Sequence, residues 1–216
     1  MLPALTLIIL ISSTYGVAWP KGTYTLVKPR TGCPSRWREG WRKQDNEDIS
    51  NINYITPGHH FYGIFGKDMT FHYCTKDEHY IHGTRDWPRG NYCILRSGIS
   101  CPRDFYTGII KWDDEDALNA NDHGGLLPSG WYGSDTKIYY CCRRDGSTRT
   151  PIELPTSKPF YLLRHNSPCQ RVKGMLYENE RVKMDDEDSF NINYVSGRHP
   201  MNGGGSDNNL FYCYYF

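Results

Sequence analysis

An acidic, asparagine-rich phrase occurs three times in this chain, in nearly the same order each time. It reads RKQDNEDISNINYI from Arg42, KWDDEDALNAND from Lys111 and RVKMDDEDSFNINYV from Arg181. Side chains of this kind could act as a pair of catalytic carboxylates, could chelate calcium, or could cap backbone amides at a corner of the fold that is repeated.

The spacing of the phrases favours the third interpretation. Catalysis needs one asymmetric site, whereas this phrase recurs once per stretch of chain, so we expect no catalytic residues and no enzyme. No cofactor is expected; binding of calcium by the phrase is left open, although the phrase lacks the EF-hand glycine and a strand would send alternate side chains to opposite faces. The candidate calcium ligands are Asp45, Glu47, Asp48, Asp113, Glu115, Asp116, Asp185, Glu187 and Asp188.

The repetition extends well beyond the acidic phrase. WPKGTYTLVKPRTGCP from Trp19 returns as WPRGNYCILRSGISCP from Trp87, an offset of 68 residues that also relates Cys33 to Cys101. A third copy begins at KPFYLLRHNSPC, and the copies end alike at TFHYC, KIYYC and NLFYC. A single domain over 19–216 with three units is therefore predicted, at 19–86, 87–153 and 154–216.

Strand signals fill each unit. Stretches such as TYTLV, FYTGIIKW and TKIYYCC are rich in Tyr, Ile, Phe and Thr and are separated by Gly, Pro, Asn and Asp, with no apolar period of helical length. Three similar units that close on one another to remove free sheet edges predict an all-β, pseudo-threefold β-prism, with a β-trefoil as the alternative.

The eight cysteines predict a framework of disulfide bonds, as expected in an exported chain. Each unit has one cysteine near its start and one near its end, which predicts Cys33–Cys74, Cys101–Cys141 and Cys169–Cys213. Cys93 and Cys142 occur only in the middle unit and are left to pair with each other. Adjacent Cys141 and Cys142 would point to opposite faces of a strand and so serve different bonds.

The N-terminal sequence and the charge define the compartment and exclude some partners. MLPALTLIILISSTYGVA has the layout of a secretory signal peptide over residues 1–18, with cleavage after Gly16 or Ala18, so a secreted, extracellular protein is expected. No later apolar run is long enough for a membrane span. A net charge of +1 with interspersed signs disfavours nucleic acid as a partner.

The units differ most between the acidic phrase and the closing strand, where we expect ligand specificity. The candidates are His59, His60 and Tyr62 in the first unit, His123, Trp131 and Tyr132 in the second, and Arg198 and His199 in the third. Symmetry would cluster these loops or space them around one rim. Exposed Tyr and Trp rings stack on sugars, and Arg binds carboxylates. The alternatives are that Trp131 and Tyr132 are half-buried strand ends and that the histidine pair is a solvated loop or a zinc site.

Arg143 and Arg144 in CCRRDG are also candidates for an anionic ligand. On a strand only one of the two can face that ligand, while the other pairs internally. A structural role in the turn at Asp145 and Gly146 is the alternative.

Several motifs together resemble the apextrin C-terminal domain family, ApeC. They include WPKGTY, WPRGNYCI, CPRDF, WDDED, LLPSGWY, TKIYYCCRRDG, PIELP and CQRVKGM, and they cover essentially all of the chain after the leader. The stretch CPRDFYTGIIKWDDEDALN also resembles the repeat of vitelline-membrane outer-layer proteins, which form a threefold β-prism. That resemblance supports the prism by analogy.

The ApeC resemblance implies a function. Several members of the family are implicated in recognising bacterial peptidoglycan and its muramyl dipeptide core, and the name-giving member is an embryonic extracellular-matrix protein. We therefore expect a free-standing, secreted pattern-recognition protein of antibacterial innate immunity that binds peptidoglycan or a related glycan. The alternatives are a structural matrix or mucus protein without a small ligand and, less favoured, a cell-wall enzyme; self-association is left open.

Overall fold

Fourteen β-strands form the regular structure of the described part of the chain. The computed structural model describes residues 17–48, 50–115, 119–166, 168–186, 191–203 and 207–216. The predicted signal peptide lies outside these residues, apart from Val17 and Ala18. The strands are β1 (Tyr24–Val27), β2 (Arg38–Gln44), β3 (Tyr54–Ile55), β4 (Gly63–Phe65), β5 (Met69–Lys76), β6 (Asn91–Arg96), β7 (Tyr106–Trp112), β8 (Asp122–Gly125), β9 (Gly130–Tyr132), β10 (Thr136–Arg144), β11 (Phe160–Leu163), β12 (Tyr177–Lys183), β13 (Tyr194–Gly197) and β14 (Asn209–Tyr215). The all-β prediction is confirmed, and these residues include no helix long and apolar enough to cross a membrane.

The strands pair antiparallel in one connected network. The hydrogen-bonded order is β3-β12-β14-β11-β6-β1-β5-β2-β8, and β10 pairs with β6, β7 and β9. The central strands β1, β6 and β11 are the first strands of the three predicted units, and each has its middle residues buried.

One short strand of each predicted unit crosses to another unit. β8 of the second unit pairs with β2 of the first, β13 of the third pairs with β7 of the second, and β3 of the first pairs with β12 of the third. These three exchanges close a cycle, because each unit gives one strand and receives one.

The core lies on both faces of the central strands. Alternate residues of a strand point to opposite faces, and here each set meets a different apolar cluster. On β11, Phe160 and Leu162 join the cluster that contains Trp37 and Trp87, whereas Tyr161 and Leu163 join the cluster on the other face. Burial on both faces explains why these strands read as apolar runs without a polar alternation.

Four disulfide bonds join the pairs that the sequence predicts: Cys33–Cys74, Cys101–Cys141, Cys169–Cys213 and Cys93–Cys142. The neighbours Cys141 and Cys142 belong to the two opposite core clusters, as expected for successive residues of β10. The bonds therefore anchor both faces of the fold.

Candidate functional site

The three acidic phrases bind one another in a cycle. The backbone N–H of the first aspartate in each phrase donates to an asparagine side chain of another phrase: Asp45 to Asn121 at 2.7 Å, Asp113 to Asn193 at 2.6 Å and Asp185 to Asn53 at 2.7 Å. In return each of these aspartates accepts a backbone N–H: from Ala120 at 2.7 Å, from Ile192 at 2.8 Å and from Ile52 at 2.6 Å, in the same order. This geometry favours the interpretation of the phrase as a repeated corner of the fold.

The calcium hypothesis fits these contacts less well. Oxygens of Asp45, Asp113 and Asp185 are used on backbone amides, Glu115 accepts the N–H of Asp48 at 2.6 Å, and Asp48 forms an ion pair with Lys67. Glu47 also has partners within the fold. Three of the candidate ligands, Asp116, Glu187 and Asp188, lie outside the described residues, so the calcium prediction stays a prediction.

The first-unit loop lies next to β12 and β14 of the third unit. The strand exchange through β3 brings it there, and the Thr56 N–H donates to the Arg181 carbonyl at 3.0 Å. His59 and His60 then separate: the His59 ring packs on Phe65 with centroids 4.8 Å apart, whereas the His60 ring stacks on Tyr214 at 4.0 Å. The adjacent histidines thus face different surroundings.

Tyr62 forms part of a cleft of about 490 Å³, lined by Arg30, Phe61, Tyr62, Gly63, Ile64 and His72. We call it the Tyr62 cleft. The backbone holds it in place, because the Tyr62 N–H donates to the Lys28 carbonyl at 3.0 Å and the Arg30 N–H donates to the His60 carbonyl at 2.8 Å. The Tyr62 side chain is 43% exposed, and Ile64 is exposed beside it.

Arg30 is the exposed cation of the Tyr62 cleft. The Lys28 ammonium lies 4.1 Å from the centre of the Tyr62 ring, but it is buried and its charge is paired with Glu39 at 2.7 Å. Burial, with the charge of Lys28, lowers the pKa of His72, and burial with the charge of Arg30 lowers that of the nearby His59. Both shifts disfavour a charged imidazole, so the exposed positive charge of the cleft comes from Arg30.

The second-unit candidates lie on β8 and β9. His123 pairs in register with Arg42 of β2, and its ring lies 5.7 Å from that of Tyr132. Tyr132 is half-buried against the core and donates its hydroxyl to the Pro128 carbonyl at 2.9 Å. Trp131 is 63% exposed on the other face, so of these three aromatic side chains it is the one best placed to meet a ligand.

The third-unit candidates lie over the start of β7. The Arg198 guanidinium is 3.8 Å from the centre of the exposed Tyr106 ring, and His199 Nδ1 lies 2.8 Å from the Pro200 carbonyl. Burial and the charges of Arg144, Arg198 and His199 lower the pKa of His165. Arg144, Arg198 and His199 thus all act on His165, and the surface around His165 combines candidates from the second and third units.

Arg143 is not on that surface, so its assignment as a ligand-binding candidate is corrected. Its side chain is 1% exposed; Nη1 donates to the Trp87 carbonyl at 2.8 Å, and Nε donates to Asp145 at 2.8 Å. Its neighbour Arg144, the last residue of β10, points to the other face and is exposed. Arg143 thus has the internal role that was the alternative for one of the two arginines.

The predicted loops occupy related positions. They lie on or directly after β3, β8 and β13, which pair with β12, β2 and β7, in each case the second strand of another unit. Sequence reasoning missed Arg30, Ile64 and His72 of the Tyr62 cleft, and it missed the carboxylates beside His60. Their approach depends on pairing between distant segments, for which the sequence carries no local signal.

His60 is the centre of a group of potential metal ligands. Its Nδ1 lies 2.8 Å from Glu180 Oε1 and 3.8 Å from Glu178 Oε2. The ligand atoms of these three residues all lie within 4.8 Å of one another. Because the His59 and His60 rings pack against different residues, the structure does not indicate that the two histidines share a metal ion.

Comparison with known proteins gives the family. No curated protein and no solved structure matches the chain. The family model described as the C-terminal domain of apextrin matches residues 19–215, which is nearly the whole chain. The chain therefore belongs to the ApeC family.

Proposed function

We propose that this chain is an exported recognition protein that binds muropeptide from bacterial cell walls at the Tyr62 cleft. The observation that carries the proposal is the cleft itself, a concave surface with an exposed tyrosine ring beside Arg30. An aromatic face can stack on a sugar ring, and a guanidinium can bind the carboxylate of a muramyl group or a peptide stem. Ile64 adds exposed apolar surface for the lactyl or alanyl methyl groups.

Family membership and the disulfides support this function. Four disulfide bonds suit an oxidising, extracellular compartment. Members of the ApeC family are implicated in recognising peptidoglycan, and binding of this kind would serve antibacterial innate immunity. We propose binding without catalysis, since the three acidic phrases use their carboxylates on one another's amides.

We further propose that the three units form a pseudo-threefold β-prism. The cyclic exchange of β3, β8 and β13 and the matching cycle of aspartate and asparagine hydrogen bonds support it. In such an arrangement the shared framework fixes the loops, and the differences between the units decide which loop binds.

Retention on insoluble peptidoglycan tests the function. The oxidised protein is sedimented with purified peptidoglycan, and soluble muramyl dipeptide is added as competitor. We expect retention that the competitor reverses, and a reduction of about 3- to 10-fold in affinity for Tyr62→Ala, from the loss of one stacking contact. Arg30→Ala should weaken binding by about 10-fold or more, from the loss of a charge-assisted hydrogen bond.

Matched controls identify the surface used. Tyr80→Ala and Arg89→Ala remove exposed side chains elsewhere and should leave retention unchanged. Loss of binding in Trp131→Ala but not in Tyr62→Ala would move the site to the second loop. Retention that the competitor does not reverse would support the matrix or mucus alternative. Clearing of the peptidoglycan suspension would support the alternative of a cell-wall enzyme.

A further inference from the structure

The exchange between the third and first units differs from the other two exchanges. In the first two, a glycine of the receiving strand faces a glycine of the incoming strand: Gly40 pairs with Gly125 and Gly108 pairs with Gly197. A Cβ on Gly40 would lie 2.3 Å from the Leu126 carbonyl oxygen, and one on Gly108 would lie 2.0 Å from that of Arg198. The backbones are in close contact, and there is no room for a side chain.

The third exchange has different residues at the corresponding positions. Counted from the aspartate that opens each acidic phrase, Glu180 stands where the other units have Gly40 and Gly108. Pro57 stands where the incoming strands have Gly125 and Gly197. Proline cannot donate a backbone hydrogen bond, and the Glu180 side chain occupies the space. The pairing accordingly ends at Ile55 with Val182, and β3 has only two residues.

Polar groups converge on Glu180 at the point where the pairing of β3 with β12 ends. His60 stands where the other two units have Pro128 and Pro200. Its backbone N–H and its Nδ1 both meet Glu180 Oε1, at 3.0 and 2.8 Å, while the Tyr161 hydroxyl donates to Glu180 Oε2 at 2.6 Å. The Glu180 side chain is 2% exposed, so a carboxylate is buried at a position where glycine serves the other two units.

Glu178 completes the group from the same face of β12. Residues two apart on a strand share a face, which places Glu178 beside Glu180, and Glu178 pairs in register with Tyr214, the residue on which the His60 ring stacks. Its side chain is 55% exposed. The group therefore has one fixed ligand atom on a stacked ring, one buried carboxylate and one carboxylate open to solvent.

We propose that His60, Glu178 and Glu180 form a binding site for a divalent transition-metal cation, with zinc the best match. Zinc takes imidazole nitrogen and carboxylate oxygen at about 2.0–2.2 Å, which in a tetrahedron separates the ligand atoms by about 3.3 Å. The observed separations of 2.8 and 3.8 Å from His60 Nδ1 bracket that value, and all three ligand atoms lie within 4.8 Å of one another. The imidazole disfavours calcium and magnesium, which prefer oxygen ligands alone.

The proposed site joins two units and keeps one position open. His60 comes from the first unit and both glutamates come from the third, so the site exists only when β3 is paired with β12. Three protein ligands leave a fourth position for water or for an oxygen of a bound molecule. The site is independent of the proposed muropeptide function, since cation binding can be measured without peptidoglycan.

Calorimetric titration of the tag-free, oxidised full chain with Zn²⁺ at pH 7.5 tests the proposal. We expect one equivalent bound, weakening by about 10-fold or more in Glu178→Gln, no binding at this site in His60→Ala, and no competition by Ca²⁺. Bound Co²⁺ should show the intense visible absorption of a four-coordinate ion. Because Glu178 is exposed, Glu178→Gln should fold like the wild type, which circular dichroism and the thermal midpoint verify.

Two control variants exclude adventitious binding. Glu153→Gln and His79→Ala alter an exposed carboxylate and an exposed imidazole away from the group and should bind zinc like the wild type. The proposal is overturned if the wild type binds no zinc, if Glu178→Gln and His60→Ala bind it as well as the wild type does, or if His79→Ala weakens binding equally.

Discussion

Burial separates residues that look equivalent in the sequence. Arg143 and Arg144 are adjacent, equally charged and both follow the double cysteine, yet Arg143 is buried on its partners Trp87 and Asp145 while Arg144, the last residue of β10, is exposed. Arg143 holds the turn after β10, and its guanidinium lowers the pKa of Asp145 to about 2. Arg144 instead adds its charge to the surface that carries Arg198.

Replacing the two arginines one at a time should therefore have unequal effects on stability. Arg143→Ala is expected to lower the free energy of unfolding by about 3–5 kcal/mol, because it leaves the partners of a buried charge without a cation. Arg144→Ala should change it by less than about 0.5 kcal/mol. Urea denaturation of the oxidised proteins measures both, and equal losses in the two variants would contradict the assignment.

The sequence predicts the structural elements that the three units share, but it does not predict which strands pair between units. Repetition predicted three of the four disulfide pairs, because a register held over many residues is a strong constraint, and Cys93 and Cys142 were left to pair with each other. Thr25, Cys93 and Tyr161 correspond when the units are aligned on their first strands, and Thr75, Cys142 and Tyr214 correspond when the units are aligned on their closing cysteines. They form three equivalent pairs: Thr25 and Thr75, Cys93 and Cys142, and Tyr161 and Tyr214. The structure joins the first pair by a hydrogen bond of 2.7 Å and the second by a disulfide.

The pairing of β3 with β12 could not be predicted in this way. Repetition shows that strands are alike but not which copy a strand joins, and these two strands are more than 120 residues apart. The glutamates beside His60 depend on this pairing, whereas the Tyr62 cleft is built within the first unit by hydrogen bonds between 28–30 and 60–62 and by the pairing of β4 with β5. The site was therefore predictable only in part, through His60 and Tyr62.

Removal of one asparagine from each acidic phrase tests the cycle of elements. Asn53→Ala, Asn121→Ala and Asn193→Ala should each lower the free energy of unfolding by about 1–3 kcal/mol, because each leaves an aspartate N–H without its acceptor. A loss is expected in all three, since each side chain accepts an aspartate N–H, although Asn121 and Asn193 also donate to the buried Asp114 and Asp186. Exposed Asp122→Ala is the control. A loss in only one of the three variants would show that the phrases are not equivalent supports.

At the scale of the whole molecule, buried charge is concentrated where the units meet. Arg42 is buried, donating to the Tyr73 hydroxyl at 2.7 Å and to Gln44, which in turn donates to Asp114 at 2.7 Å. Burial raises the pKa of Asp114 to about 7. Burial, with the charge of Asp114, also raises the pKa of Asp186 well above its usual range. Ionisation of Asp114 therefore disfavours ionisation of Asp186, which belongs to another unit.

This arrangement predicts a specific dependence of stability on pH. The pKa of Asp114 is higher in the folded chain than its ordinary value of 3.8, so the folded state binds the proton more tightly than the unfolded state does. Its contribution to stability is complete below about pH 4, declines as the pH rises to about 7 and is then constant. Burial lowers the pKa of His59, His72 and His165, which acts in the opposite direction, so the wild-type profile alone does not isolate the aspartate.

Comparison with Asp114→Asn isolates it, because the histidines are common to both proteins. The free energy of unfolding of the wild type minus that of Asp114→Asn should fall between pH 4 and pH 7, by up to about 4 kcal/mol, and level off above pH 7. Urea denaturation at each pH gives this difference, and Asp122→Asn, at an exposed carboxylate of β8, is the control for the substitution itself. A difference for Asp114→Asn that is constant or rises with pH would mean that the interior carries this carboxylate ionised without cost. The buried contacts to Gln44, Thr136 and Asn121 would then outweigh its loss of hydration.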